Sequence, residues 1–264
     1  MSREKAAWAW DPATYLRFGS ERERPYFELV ARIGADEAAD VVDLGCGPGG
    51  LTATLLRRWP SARIEGIDSS PEMIEAAAPH AVPGSLRFRV GDVRSWSPDR
   101  PVDVIVSNAA LQWVGGGLDL LDRLVAALAP GGWLAYQVPY SIPSPAHSVL
   151  RELCHTALWR DRLSDALWPP HPLASPQSLP RLHALGCTVD AWETTYLHVL
   201  QGDDAVVGWM RGTTLRPLLA RLSGPEQERF LDEYRQGLAP HFPVTSAGTV
   251  LPFRRVFTVA RTSS

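Results

Sequence analysis

The side chains with the most chemical content fall in three short stretches. Asp43-Leu44-Gly45-Cys46-Gly47-Pro48-Gly49-Gly50 sets an acid ahead of four glycines. A turn this rich in glycine lets a ligand approach bare backbone, and the amides at the start of a following helix favour an anionic group, while Asp43 can accept from a donor. Gly66-Ile67-Asp68-Ser69 carries a second acid, about twenty residues on, where a nucleoside-binding sheet places its ribose-binding carboxylate. Gly91-Asp92-Val93 supplies a third, suited to accept from an exocyclic amine.

By spacing alone the first loop admits two ligands. Gly45, Gly47 and Gly50 satisfy the dinucleotide pattern G-x-G-x-x-G, whereas Asp43 ahead of Gly45, Gly47 and Gly49 gives a tighter one. A carboxylate at the tip of a strand faces a pyrophosphate poorly and suits a ligand that carries an ammonium and no phosphate. Lys5 is the only lysine of the chain, which removes Walker-type loops, Schiff-base enzymes and Tyr-Lys dehydrogenases. These features favour S-adenosylmethionine over NAD. An NAD-dependent oxidoreductase and a non-catalytic binding module stay open as alternatives.

Periodicity predicts the elements that position these groups. Val41 and Val42 lead into the glycine loop, and Leu51, Leu55, Leu56 and Trp59 recur at helical spacing behind it. Further strands are expected over 63–67, 86–90, 101–106 and 133–138, with Ser70 capping a helix that has Pro71 at its first position and Met73 on its first turn. Asn108 and Leu111-Gln112-Trp113 follow the fourth strand, and Ala129-Pro130-Gly131-Gly132 closes the helix before the fifth. Alternation at this spacing predicts an α/β fold with a doubly wound, Rossmann-like parallel sheet and ligands at the carboxyl ends of its strands.

Two aromatic helices are expected ahead of the first strand. One opens at Asp11-Pro12 and carries Tyr15 and Phe18; the other buries Tyr26, Leu29, Val30 and Ile33 and stops at Gly34, and Tyr15, Arg22 and Arg24 are their candidate ligand contacts. After Pro139 come proline-broken helical stretches, a strand over 187–200, more helix to Leu238 and a last strand over 253–260. The expected division is a cofactor-binding core of 1–139 with 186–200 and 250–264, and a helical substrate region of 140–185 with 201–249 capping the active site.

The 264 residues carry a net charge of −3, so no basic footprint points to nucleic acid or an anionic membrane. Cys46, Cys154 and Cys187 are few and widely spaced, as free thiols in a reducing compartment are, and no metal-ligand spacing occurs. Cys154 and His155 are neighbours that a helix points apart. The first ten residues contain no apolar signal region, and the expectation is a cytoplasmic protein acting on a small molecule, its oligomeric state left open with a monomer favoured.

Asp43 to Gly49, Gly66-Ile67-Asp68, Gly91-Asp92-Val93, Val102 to Asn108 and Leu128 to Gly132 resemble the successive motifs of class I S-adenosylmethionine-dependent methyltransferases. The resemblance implies a seven-stranded sheet of order 3-2-1-4-5-7-6 with the seventh strand antiparallel. It also implies that Asp43, Gly45, Cys46 and Gly47 wrap the methionine part of S-adenosylmethionine, with Tyr15, Arg24 and Asn108 nearby. Asp68 and Ser69 would meet the ribose, and Met73, Gly91, Asp92 and Val93 the adenine. Trp10-Asp11-Pro12, Glu21 to Pro25, Leu111-Gln112-Trp113, Trp192 to Tyr196, Thr214 to Pro217 and Phe253 to Phe257 are similar to a narrower family, the carboxyl methyltransferases that esterify trans-aconitate. That implies a small polycarboxylate as substrate, read by arginine forks. Arg22, Arg216 and Arg255 are the candidates, with Trp113 and Tyr140 as walls. A carboxylate acceptor is already an anion and needs no general base; His171 or His198 would serve only a phenol or an amine.

Overall fold

Val41, Val42 and Leu44 are all buried, as expected of a strand covered on both faces of a parallel sheet. A computed structural model of the chain describes residues 19–140, 144–167, 171–174 and 176–264, with 19–22 as backbone only. Its first half runs α1 (Gly19–Ala31), β1 (Asp40–Leu44), α2 (Gly50–Arg58), β2 (Arg63–Asp68), α3 (Pro71–Ala77), β3 (Leu86–Val90), β4 (Val102–Asn108), α4 (Asp119–Ala126) and β5 (Leu128–Pro139). The second half runs α5 (Pro145–Cys154), α6 (Arg160–Leu163), α7 (Ser178–Ala184), β6 (Thr188–Leu200), α8 (Ala205–Arg211), α9 (Arg216–Leu219), α10 (Gly224–Leu238) and β7 (Thr249–Arg261).

Among the described residues seven strands form one sheet in the order β3-β2-β1-β4-β5-β7-β6, which leaves β3 and β6 as its edges. β1 pairs in parallel with β2 and β4, β2 with β3, and β4 with β5. β7 runs the other way. Gly131 N donates to Ser263 O at 2.9 Å and Tyr140 N to Arg254 O at 2.9 Å, so the partner number falls as β5 advances. The expected order and the antiparallel seventh strand are both present.

β7 begins at Thr249, four residues before the expected start, and three further boundaries differ from expectation for physical reasons. β4 extends to Asn108, because Ser107 and Asn108 keep ladder partners in Tyr136 and Gln137. β5 starts at Leu128 rather than Trp133: Leu128 pairs with Val102 and Trp133 with Val104, so Ala129 to Gly132 bulge from the strand instead of capping a helix. α1 ends at Ala31 and Gly34 has no left-handed φ; a Cβ there would lie 2.8 Å from the Trp133 ring. Gly34 is thus a packing glycine and not a helix stop. The predicted helix at Asp11-Pro12 and Tyr15 lies outside the described residues.

The chain forms two compact units. The first comprises Met1–Val138, Ser175–Trp192 and Phe257–Ser264, and its core includes Leu29, Ile33, Leu44, Leu55, Ile67, Val104, Ile105, Leu121, Leu124 and Leu134. The second comprises Pro139–Ala174 and Glu193–Val256. There Trp159 meets the Phe230 ring edge-on at 5.3 Å and its Nε1 donates to Glu233, while the Tyr234 hydroxyl donates to Ala146 O, joining α10 to α5 and the turn after it. No helix among the described residues is long and apolar enough to cross a membrane.

Gly34→Ala should lower stability by about 1–3 kcal/mol, because the rigid indole of Trp133 must move for the added methyl. Urea unfolding measures this, and a wild-type midpoint in the variant would refute the packing role.

Candidate functional site

The glycine loop is shaped by the strand beside it. Gly45 N and Cys46 N both donate to Ile67 O, at 2.7 and 3.0 Å, and Gly47 N donates to Asp68 Oδ2 at 3.0 Å. Asp68 Oδ1 accepts from Ser70 N at 2.9 Å, and its main-chain oxygen accepts from Gly91 N at 2.8 Å. The three motifs are therefore stitched together at the ends of β1, β2 and β3. Gly45 sits at φ 80°, and a Cβ there would fall 2.1 Å from Ala110 Cβ. Only glycine lets the loop after β1 and the loop after β4 approach so closely.

Asp43 is buried, and the Thr52 hydroxyl donates to its Oδ2 at 2.6 Å. Burial pushes its carboxyl up to about 7, against the pull of that hydrogen bond. Near Asp43 and Cys46 stands Tyr26, whose hydroxyl is buried without a hydrogen-bond partner among the described residues. Burial, and then the negative charge of Asp43, pushes the Tyr26 phenol up. Tyr26 reads in the sequence as one member of an apolar stripe, so its polar tip at this acid carries no pattern signal. Cys46 donates to Gly47 O at 3.6 Å, and burial followed by the Asp43 and Asp68 charges pushes its thiol far up, which removes it as a nucleophile. Asp68 is raised by burial, opposed by the amides of Ser70 and Gly47.

The remaining residues of the first unit divide. Val93 and Met73 are buried, and Met73 N donates to the Ser70 hydroxyl at the start of α3. Ser69 is exposed. Asp92 is taken by Arg94, whose Nε donates to Oδ2 at 2.8 Å and which holds the Asp92 carboxyl below its ordinary value. Arg24 projects from α1 with its side chain 70% exposed and pairs with Glu28 one turn on, so the structure sets it on a solvated helix face. Tyr15 lies outside the described residues, and Arg22 enters only through the backbone of α1. Asn108 ends β4 with Oδ1 accepting from Gln137 Nε2 at 2.5 Å. Trp113 is half-buried in a short 3-10 turn, Leu111–Trp113.

The second unit gathers part of the expected substrate set. Tyr140 lies beneath the Arg254 guanidinium at 4.9 Å, and Arg254 also pairs with Glu193. Arg255 is 3% exposed, with its guanidinium 5.0 Å from the Phe253 ring. His198, buried as well, stacks on Trp209 at 4.8 Å and tilts against Phe253. Arg216 opens α9. Two residues before it, the Thr214 hydroxyl lies 3.5 Å from His147 Nε2, and the Ser144 hydroxyl lies 2.9 Å from Nδ1. Burial, then the Arg151 charge, lowers His147 to about 4, so it is neutral at physiological pH. His147 lies in no spacing that marks a site in advance; His198, the base candidate for a phenol or an amine, is held in this aromatic cluster. His171 precedes the short 3-10 turn Pro172–Ala174, and its Nδ1 accepts from Leu173 N at 3.3 Å.

Asp43 generates a pH prediction. Its folded pKa exceeds the ordinary value, so between about pH 4 and 7 the folded state holds a proton that the unfolded chain has released. Its contribution to stability falls as pH rises through that window and is constant above it. Urea unfolding of the ligand-free protein should show this downward component, and Asp43→Asn should abolish it; an identical pH slope in the variant would contradict the assignment.

Comparison with known proteins places this geometry in a family. Residues 41–132 match the model of a methyltransferase domain. The chain is 50% identical over 259 residues to a trans-aconitate 2-methyltransferase of Streptomyces avermitilis, covering 96% of each chain. It is also 50% identical to one of Streptomyces coelicolor, covering 96% of this chain and 86% of that one. Among solved structures, an S-adenosylmethionine-dependent methyltransferase of Thiobacillus denitrificans in complex with S-adenosyl-L-homocysteine superposes with a TM-score of 0.53 at 22% identity, covering 96% of this chain and 99% of that one. That likeness is one of fold. With half of its residues shared along nearly its whole length, the chain belongs to the trans-aconitate 2-methyltransferase family.

Proposed function

We propose that this enzyme transfers a methyl group from S-adenosylmethionine to a carboxylate of trans-aconitate or a similar small polycarboxylate, giving a monomethyl ester. The observation that carries the reading is the half-identity to two Streptomyces relatives named for that activity. The residues fit the methyl donor. A buried acid with a single hydroxyl donor, and an orphaned phenol near it, suit an ammonium. Left-handed glycines at 45 and 47 open a backbone cradle beside them. In this reading Asp43 and the loop Gly45-Cys46-Gly47 hold the methionyl part, Asp68 and Ser69 the ribose hydroxyls, and Met73, Gly91 and Val93 flank the adenine. Asp92 keeps an oxygen lone pair for the exocyclic amine while Arg94 engages it. When bound, S-adenosylmethionine supplies an electrophilic methyl on a sulfonium.

What the chain must do for the acceptor is limited by the acceptor's own chemistry. A carboxylate is ionised at neutral pH, so no side chain has to remove a proton. The demands are neutralisation of several negative charges, removal of water from the attacking oxygen and alignment. Arginine meets the first with a planar fork. Arg255, fixed against Phe253, and Arg216 are the readers in this proposal, with Tyr140 as an apolar wall. With no proton to take from a carboxylate, His147, neutral at physiological pH, offers only polar contacts. The helical segments of the second unit form the substrate region.

Purified protein incubated with labelled S-adenosylmethionine and trans-aconitate should yield a labelled ester; turnover on a phenol or amine, with none on trans-aconitate, would sink the substrate assignment. Arg255→Lys removes a bidentate charge-assisted contact worth about 1.5–3 kcal/mol. It should raise KM for trans-aconitate about ten- to a hundredfold, while affinity for S-adenosylhomocysteine stays within about twofold. An unchanged KM would show that Arg255 does not read the substrate.

A further inference from the structure

The end of β4 contains a polar pair that the donor-binding loop does not use. Gln137 of β5 is fully buried, is the ladder partner of Asn108, and donates from Nε2 to Asn108 Oδ1 at 2.5 Å. Asn108 itself is 9% exposed. A primary amide carries its oxygen and nitrogen on opposite sides of the Cγ, so committing Oδ1 to Gln137 turns Nδ2 the other way. Among the described residues Nδ2 has no protein acceptor, and it is not sealed off from solvent.

The backbone beyond it is held as tightly. Ala109 lies at φ 54°, a left-handed conformation that residues with a Cβ avoid unless the surroundings impose it. Gln112 Nε2 donates to Ala109 O at 2.6 Å, and Ala109 N donates to Gln137 O at 3.0 Å. This strained turn sets Ala110 against Gly45. A buried amide pair and a strained residue at the same strand end, next to the glycine loop, are the marks of a site held in one arrangement.

We propose that Gln137 is a positioning residue, which by holding Asn108 Oδ1 presents Asn108 Nδ2 as a hydrogen-bond donor to a ligand carboxylate. Asp43 and Asp68, at the ends of β1 and β2, suit the ammonium and hydroxyls of a ligand. β4 lies on the side of β1 away from β2, where a donor meets an anionic oxygen without competing with those acids. The inference rests on the methyl-transfer reading, which supplies two sources of carboxylate: the methionyl end of the donor and the acceptor itself.

The polarity of the pair is its test. An ionised glutamate can only accept, so Gln137→Glu forces Asn108 to turn Nδ2 inward and face ligands with Oδ1. If the methionyl carboxylate is the target, titration calorimetry should show S-adenosylhomocysteine binding weakened about tenfold or more. If the acceptor is the target, that affinity holds and KM for trans-aconitate rises about tenfold or more. Because Gln137→Glu places a carboxyl in the core, Asn108→Asp is the companion variant. It keeps an acceptor for Gln137 Nε2, so Tm should hold, yet it replaces the outward donor with an acceptor and should give the same loss. Wild-type affinity and KM in both variants overturn the proposal. Should the wild type esterify no carboxylate, the functional reading fails by itself, and S-adenosylhomocysteine affinity of the two variants decides the positioning role.

Discussion

The arrangement of the donor-binding edge depends on Asp68 and the residue before it. Its carboxylate accepts one amide from the glycine loop and one from the start of α3, while Ile67 O takes two more amides from the same loop. Each bond satisfies a backbone donor that a turn of left-handed glycines would otherwise leave exposed to a ligand or to solvent. Four amides thus converge on two consecutive residues at one strand end. The loop after β1 is held as an extension of β2, and the third motif joins it through Gly91. Asp43 is buried beside this arrangement, in β1 between β2 and β4.

Much of this was legible in the sequence because strands and acids follow short-range rules. A buried parallel strand reads as an apolar run, and an acid just past it marks a carboxyl end whatever lies elsewhere in the chain. Asp43, Asp68 and Asn108 were placed that way. Gln137 was not, since one glutamine inside Trp133 to Val138 looks like any polar residue in a strand; its meaning comes from a ladder partner 29 positions away. Gly34 failed for the same reason, its constraint being an indole from a distant strand. Asp92 illustrates a subtler limit: its position was legible, but its engagement by Arg94 is a side-chain choice that spacing does not encode.

In the second unit the sequence shows arginines without showing which are solvated. Arg254 and Arg255 are adjacent in β7, yet strand alternation sends one into an ion pair with Glu193 and the other into aromatic surroundings. Adjacent identical residues thus acquire different dielectric environments, and only the buried one gains the strength that removal from water gives a charge-assisted contact. His198 and Trp209 lie on the successive elements β6 and α8, but Phe253 reaches them from the distant β7, so the cluster exists only once all three have assembled.

The open sheet has one further consequence. A sheet that does not close into a barrel presents two rows of unpaired backbone groups, and each is a template on which another chain can pair. β3 is a short edge, and Arg87 and Arg89 alternate along it, both bridged to Glu65. Charge at every second position makes that border a poor template. β6 is long, and beyond Glu193 it shows Leu197 and Val199 to solvent at 66% and 49%. The two borders of one sheet are therefore unequally guarded against self-association, and the weaker guard lies on the strand that the chain adds next to last.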